Sequence, residues 1–136
     1  MESFSLNQAL DILPLVKAVA AELVERRTER LRALKVKEEL ERSTSPEGLG
    51  QAIADLEMEV RGHDDALARG RQELERLGLT VLRMHPLTIH FPGRATPKSV
   101  VFCWMEGENG IDHGHLAGEE LGTRRPLLVR RQNDAV

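Results

Sequence analysis

The chain is poor in the residue types that most often betray chemistry or export. A single cysteine among 136 residues rules out an intramolecular disulfide, and with it the stapled scaffolds of small secreted domains. Tyrosine is absent, and three Phe and one Trp are the only aromatic side chains, the profile of a helix-heavy protein rather than a sandwich or barrel. No stretch approaches the roughly 20 apolar residues of a membrane span. The opening MESFSLNQALDIL carries no basic segment ahead of an apolar run, so a cytoplasmic location is expected. A net charge of -3 with both signs interspersed offers no electrostatic footprint for nucleic acid or an anionic bilayer. The motifs HExxH, CxxC and GxSxG and glycine-rich phosphate loops are missing, which removes the commonest enzyme classes.

What remains is a long helical stretch followed by a short β-type one. The length suits one folding unit over 1–136. Ser5 and Gln8 are spaced as a capping box with Phe4 as a hydrophobic staple, marking a first helix over 4–42. Leu6, Leu10, Leu13, Ala20, Val24, Leu31 and Leu34 follow the helical period. Pro14 interrupts it, which predicts a kink there, or a short opening helix and a long one that Pro14 starts. Ser43, Thr44, Ser45 and Pro46 make the loop, and a second helix is expected over 46–77. Its seam of Leu49, Ile53, Leu56, Val60, His63, Leu67, Gly70, Leu74 and Leu77 keeps a heptad spacing with two deviant positions. Gly78 supplies the stop.

Two long amphipathic helices joined by a short loop make an antiparallel hairpin. Facing residue numbers then sum to roughly 90, as equal rise along both helices requires. His63 falls near Arg27 as one polar layer fixing register, and Gly70 near Ala20 as a close approach. Beyond Gly78, LTVLRM, LTIHF, VVFCWM and a weaker segment around IDHGHL read as strands over 79–116, punctuated by Pro86, Pro92, Gly93, Asn109 and Gly110. The fold class is therefore α+β: a coiled-coil-like helical hairpin capped by a small, mainly antiparallel sheet of three or four strands. The sheet is expected to pack on the surface from Leu6 to Val24. The last residues, 127–136, are expected to fray.

Three features together resemble a bacterial family known as domain of unknown function 2203: the opening FSLNQALDILP, the CW pair of VVFCWMEGE, and a late His before an Arg-x-Pro ending. The likeness runs from Phe4 to Leu128. Cys103, Trp104, His115, Arg124 and Pro126 fall on the matching positions. The chain departs from the pattern at His90, Phe91 and Pro92, where relatives tend to have DFP, at His113 and Gly114, and at Leu116. The resemblance implies a helical hairpin with a small sheet and no established activity.

The sharpest chemical signal is His113-x-His115. Residues two apart on a strand share a face, so both imidazoles could meet one divalent transition metal. If Asn109 and Gly110 form a two-residue turn, Trp104 faces His115 and Glu106 faces His113. Glu106 is then the third ligand of a two-His, one-carboxylate set. Cys103 would face the other way, unless the turn has an odd number of residues. The plainer reading is two solvated histidines, a thiol packed as a small hydrophobe with His90 or His85 as its only prospective base, and a core Trp104. Arg124, with Trp104, is the candidate for holding an anionic ligand. Cys103, His63 and Gly70 are assigned structural roles.

Two functional readings follow. The preferred one is a non-enzymatic cytoplasmic interaction or scaffold protein, self-associating through apolar hairpin surface at Val16, Val19, Leu23, Val36 and Leu40. The alternative is a metal- or small-ligand-binding protein, in its strongest form an enzyme, with a site around His113, His115, Glu106 and Arg124.

Overall fold

The structure is a computed structural model that describes residues 4–43, 48–92, 100–111, 113–116 and 125–126; for Val100, 113–116 and 125–126 the description is of the backbone. Two long helices pack against each other and are followed by an antiparallel sheet, an α+β fold. The elements are α1 (Leu6–Glu41), α2 (Leu49–Arg76), β1 (Thr80–Met84), β2 (Leu87–Pro92), β3 (Val100–Met105), β4 (His113–Leu116) and β5 (Arg125–Pro126). The chain divides into two compact units, one formed by 1–20 with 73–136 and one by 21–72.

In the first unit α1 starts at the reciprocal capping box. The Ser5 amide donates to Gln8 Oε1 at 3.0 Å and the Gln8 amide donates to Ser5 Oγ at 3.1 Å, satisfying two amides that a helix start leaves over. Phe4 turns its ring edge-on to Phe91, with centroids 5.9 Å apart, and its amide donates to the Pro92 carbonyl. The start of α1 is thus tied to the end of β2. Pro14 lies inside α1, which is not divided there. Its missing donor leaves the helical assignment intact on both sides, so the expected split into a short and a long helix does not occur.

α2 ends in a Schellman motif. Gly78 takes a φ of 88°; its amide donates to the Glu75 carbonyl at 2.9 Å, and the Leu79 amide reaches back to the Leu74 carbonyl at 3.0 Å. Leu74 and Leu79, the apolar pair that accompanies such a motif, are both buried. The reversal is complete within three residues, so β1 begins directly after it. The sheet is a five-stranded meander in the order β1-β2-β3-β4-β5, every neighbour antiparallel. The two-residue β5 adds to the three or four strands expected; a run that short leaves no alternation in the sequence. β1 is interrupted by a register shift between Val81 and Arg83.

The second unit is the greater part of the helical hairpin. All seven of its expected seam positions on α2, Leu49, Ile53, Leu56, Val60, His63, Leu67 and Gly70, are at least partly buried. The stripe on α1 differs from the expected one. Leu13 and Ala20 are buried as expected, but Leu10 and Leu31 are exposed, and Ala9, Val16, Leu23 and Ala33 are buried as well. Val16 and Leu23, expected on an uncovered surface, are core residues; alanines at seam positions hid the phase of the helix from a count weighted toward Leu and Val. Facing numbers sum to between 89 and 94. Gly70 meets Leu23 rather than Ala20, and a Cβ at Gly70 would lie 2.6 Å from Leu23 Cδ2. His63 meets Arg26, whose Nη1 lies 3.4 Å from Nδ1. Arg26 donates there, which leaves His63 Nε2 to carry a proton toward Glu59 Oε2 at 3.4 Å. Arg30 to Asp64 at 2.6 Å and Lys37 to Glu57 at 3.4 Å add cross-hairpin ion pairs. Being partly exposed, these fix register more than they stabilise. The loop residues Thr44, Ser45 and Pro46 and the expected frayed tail lie outside the described residues.

Gly62 and Gly70 both sit inside α2 and separate two effects of adding one methyl. Nothing lies within 4 Å of a Cβ at Gly62, so Gly62→Ala raises stability by about 0.5–1 kcal/mol through backbone entropy. Gly70→Ala overpacks Leu23 and lowers stability by a net of about 1 kcal/mol. Urea denaturation of the two variants checks both signs.

Candidate functional site

The two faces of the sheet differ in chemistry. Directly paired residues share a face and successive residues alternate. Val81, Leu87, Ile89, Phe91, Phe102 and Trp104 occupy one face, and all are buried. The other face carries Thr88 and His90 from β2 and Cys103 from β3, also buried, at 0%, 7% and 0% exposure. An antiparallel sheet commonly leaves one face to solvent. Here β2 is covered on both sides from Leu87 to Phe91.

The register places the chemistry-bearing residues of three strands on that second face. His90 pairs with Cys103, and Cys103 pairs with His113. Val101 pairs with His115, so His115 holds the next position on the same face. The expected register, with Trp104 facing His115 and Glu106 facing His113, is corrected. The connection leaves β3 at Met105, turns at Glu106 and Gly107, where Gly107 has a φ of 95°, and re-enters pairing at His113. A wide connection with an odd number of residues between Cys103 and His113 replaces the two-residue turn, and this moves Cys103 onto the histidine face.

Glu106 has a different task. Its amide donates to the Leu87 carbonyl at 2.9 Å, and its Oε1 accepts from the Leu87 amide. The side chain closes the start of β2, two positions beyond the residue expected to face His115. Trp104 is 4% exposed and its Nε1 donates to the Glu108 carbonyl at 3.0 Å. Glu108 in turn accepts from the Met105 amide at 2.7 Å. Asn109 accepts from Lys17 Nζ at 2.8 Å through its carbonyl. The indole therefore braces the connection from within the apolar face. Arg124 lies outside the described residues. Among the described residues, no group of three or more His, Cys, Asp and Glu side chains is gathered to hold a metal, and no helix is long and apolar enough to cross a membrane.

The hairpin offers a surface of another kind. Only Leu23, Ala33 and Ala66 are buried apolar residues among the described residues of the 21–72 unit. Leu31, Val36 and Met58 are exposed at 53%, 39% and 68%. The Arg30–Asp64 and Lys37–Glu57 pairs bracket all three along one short length of the hairpin.

Sequence reasoning named His90 as a prospective partner of Cys103, and the pairing of β2 with β3 sets the two opposite each other; what it missed is the side of the sheet on which Cys103 lies. The signal for His90 was its alternation with Ile89 and Phe91 in LTIHF. No local signal gave the width of the connection after Met105. The model of a family described as an uncharacterized conserved protein (DUF2203) matches residues 2–127. No curated protein and no solved structure matches the chain.

Removing either brace of the connection has a measurable cost. Glu106→Ala leaves the Leu87 amide without its carboxylate and lowers stability by about 1–3 kcal/mol. Trp104→Phe keeps most of the buried ring but deletes the bond to Glu108, and costs about 1 kcal/mol. Both losses are read as shifts in the urea midpoint.

Proposed function

The chain belongs to the DUF2203 family of uncharacterized conserved proteins, a membership that carries no activity, and from its geometry we propose a non-enzymatic cytoplasmic interaction protein that self-associates through its helical hairpin. The observation that carries this reading is the imbalance of the 21–72 unit of the hairpin: among its described residues, three buried apolar side chains, two of them alanines, stand against the exposed Leu31, Val36 and Met58. Short cores of this kind gain little from burial, since each fully buried Leu or Met contributes about 1.5–3 kcal/mol and an Ala far less. Seam residues Ile53, Leu56, Val60 and Leu67 remain partly open. Four-helix packing buries what two helices leave over.

A second copy of the chain is the occupant that fits. An antiparallel hairpin already alternates helix direction, so a two-fold-related hairpin completes an antiparallel bundle with the same patch on both partners. Acidic and basic residues alternate along the hairpin and neutralise each other locally through Glu22–Arg26, Arg30–Asp64 and Lys37–Glu57. No block of like charge therefore opposes the approach of an identical surface.

Sedimentation equilibrium at micromolar concentration is expected to give a dimer or larger species. Leu31→Glu with Met58→Glu is expected to give a monomer of unchanged helicity, because both positions are exposed within one chain and a charge there costs nothing until a partner covers it. A wild-type monomer at that concentration refutes the reading.

A further inference from the structure

We propose that the second copy of the chain packs on one defined side of the hairpin, lined by Val24, Leu31 and Leu34 of α1 and Ile53, Val60 and Leu67 of α2, with α1 of each copy lying along α2 of the other; the assignment rests on the self-association reading above. The heptad of α2 fixes the geometry. Its positions Leu49, Leu56, His63 and Gly70 form the seam, where Gly70 meets Leu23, and Arg30 and Lys37 of α1 reach across to Asp64 and Glu57. On a seven-residue repeat, positions four residues past the seam lie on one flank of it, and positions one residue past it lie further out on that flank. Because the helices run in opposite directions, the two flanks fall on the same side of the hairpin. On α2 the flank is Ile53, Val60 and Leu67, all partly buried; on α1 it is Leu34 with Val24 and Leu31, the last 53% exposed. The opposite flanks carry Arg26, Ala33 and Leu40 against Ala52, Glu59 and Ala66, so apolar side chains larger than alanine are fewer there.

Charges on that side choose how the second copy lies. Arg27 belongs to the α1 flank and Lys35 borders it, whereas Glu57 and Asp64 lie on the α2 flank, 46% and 48% exposed despite their links to Lys37 and Arg30. The side is therefore basic along α1 and acidic along α2. A two-fold axis parallel to the helices keeps each residue at its own level along the hairpin and sets α1 over the partner's α2, running in the opposite direction. Facing numbers across the interface then sum to about 91, much as they do within one hairpin, because the rise per residue is the same. Val24 lies over Leu67 of the other copy, Leu31 over Val60, Arg27 over Asp64 and Lys35 over Glu57, each pairing made twice. A two-fold axis across the hairpin instead sets α1 on α1 and α2 on α2, reversed about Leu31 and Val60. Arg27 would then meet Lys35, and Glu57 would meet Asp64. Like charges opposed at an interface cost affinity, which rejects that arrangement. An identical copy supplies the complement of a surface whose halves carry opposite charge, whereas a partner helix with one apolar stripe and one sign of charge matches only half of it.

Sedimentation equilibrium of the full-length wild type, Leu31→Glu and Met58→Glu separates this side from the hairpin as a whole. Wild type is expected to dimerise at micromolar concentration. Leu31→Glu is expected to weaken the dimer by at least about tenfold, as loss of a central apolar contact does. Met58→Glu is expected to leave it unchanged, because Met58, two residues past Leu56 of the seam, is turned away from this side. Both positions are exposed within one chain, so circular dichroism should show wild-type helicity for each. Cross-linking reads the arrangement itself. Leu31→Cys mixed with Val60→Cys under mild oxidation is expected to give a covalent heterodimer on non-reducing electrophoresis, faster than either variant gives a covalent dimer alone. Cys103 is buried, and wild type oxidised in parallel gives its background. A wild-type monomer refutes self-association itself. A wild-type dimer that survives Leu31→Glu, that is dissociated by Met58→Glu, or that cross-links as fast through Leu31→Cys alone overturns the assigned side and leaves the hairpin as the means of association.

Discussion

β2 is the constraint on which the first unit depends. A strand covered on both faces from Leu87 to Phe91 must satisfy its backbone within the protein, through β1, β3 and the groups at its two ends, and its side chains must serve two environments at once. Odd-numbered positions build the apolar face and receive Phe4; even-numbered positions carry Thr88 and His90 to the opposite side. Once β2 is placed, the Glu106 carboxylate closes its beginning and the Phe4 amide its end. Register along β3 and β4 then follows from hydrogen-bond pairing, and with it the company that Cys103 keeps.

The hairpin obeys a different rule. Its helices are held at close range by absence of bulk: Gly70 admits Leu23, and Ala33 and Ala66 occupy buried positions where larger residues would push the helices apart. Close approach comes at the expense of apolar area, and cross-hairpin ion pairs supply alignment without much stability. The two units thus solve the problem of a small core in opposite ways, one by enclosing a strand completely and the other by leaving apolar surface open.

The elements whose signal is local were legible in the sequence. Ser5 with Gln8 and the stop at Gly78 each rest on contacts within a few residues, and the structure shows both; the heptad from Leu49 is at least partly buried as expected, though His63 and Gly70 meet Arg26 and Leu23 rather than Arg27 and Ala20. The phase of α1 was misread in part because Ala9 and Ala33 are buried while Leu10 and Leu31 are exposed; hydrophobicity ranks those residues in the opposite order. The site face depended on the parity of the connection between Cys103 and His113, which is set by Gly107, Glu108 and the Trp104 indole acting together. A shift of one residue there exchanges the faces, so His113 and His115 were recognisable as a pair while their neighbours were not.

The interruption of β1 between Val81 and Arg83 has a consequence for how copies of this chain can meet. β1 is the sheet's outer strand on one side, and an exposed, regular outer strand invites another chain to continue the ladder, the route by which sheets grow into fibres. The bulge breaks the row of donors and acceptors and places exposed Arg83 beside the break. An incoming strand finds no unbroken template there, and crowding of many copies is steered away from amyloid-like stacking.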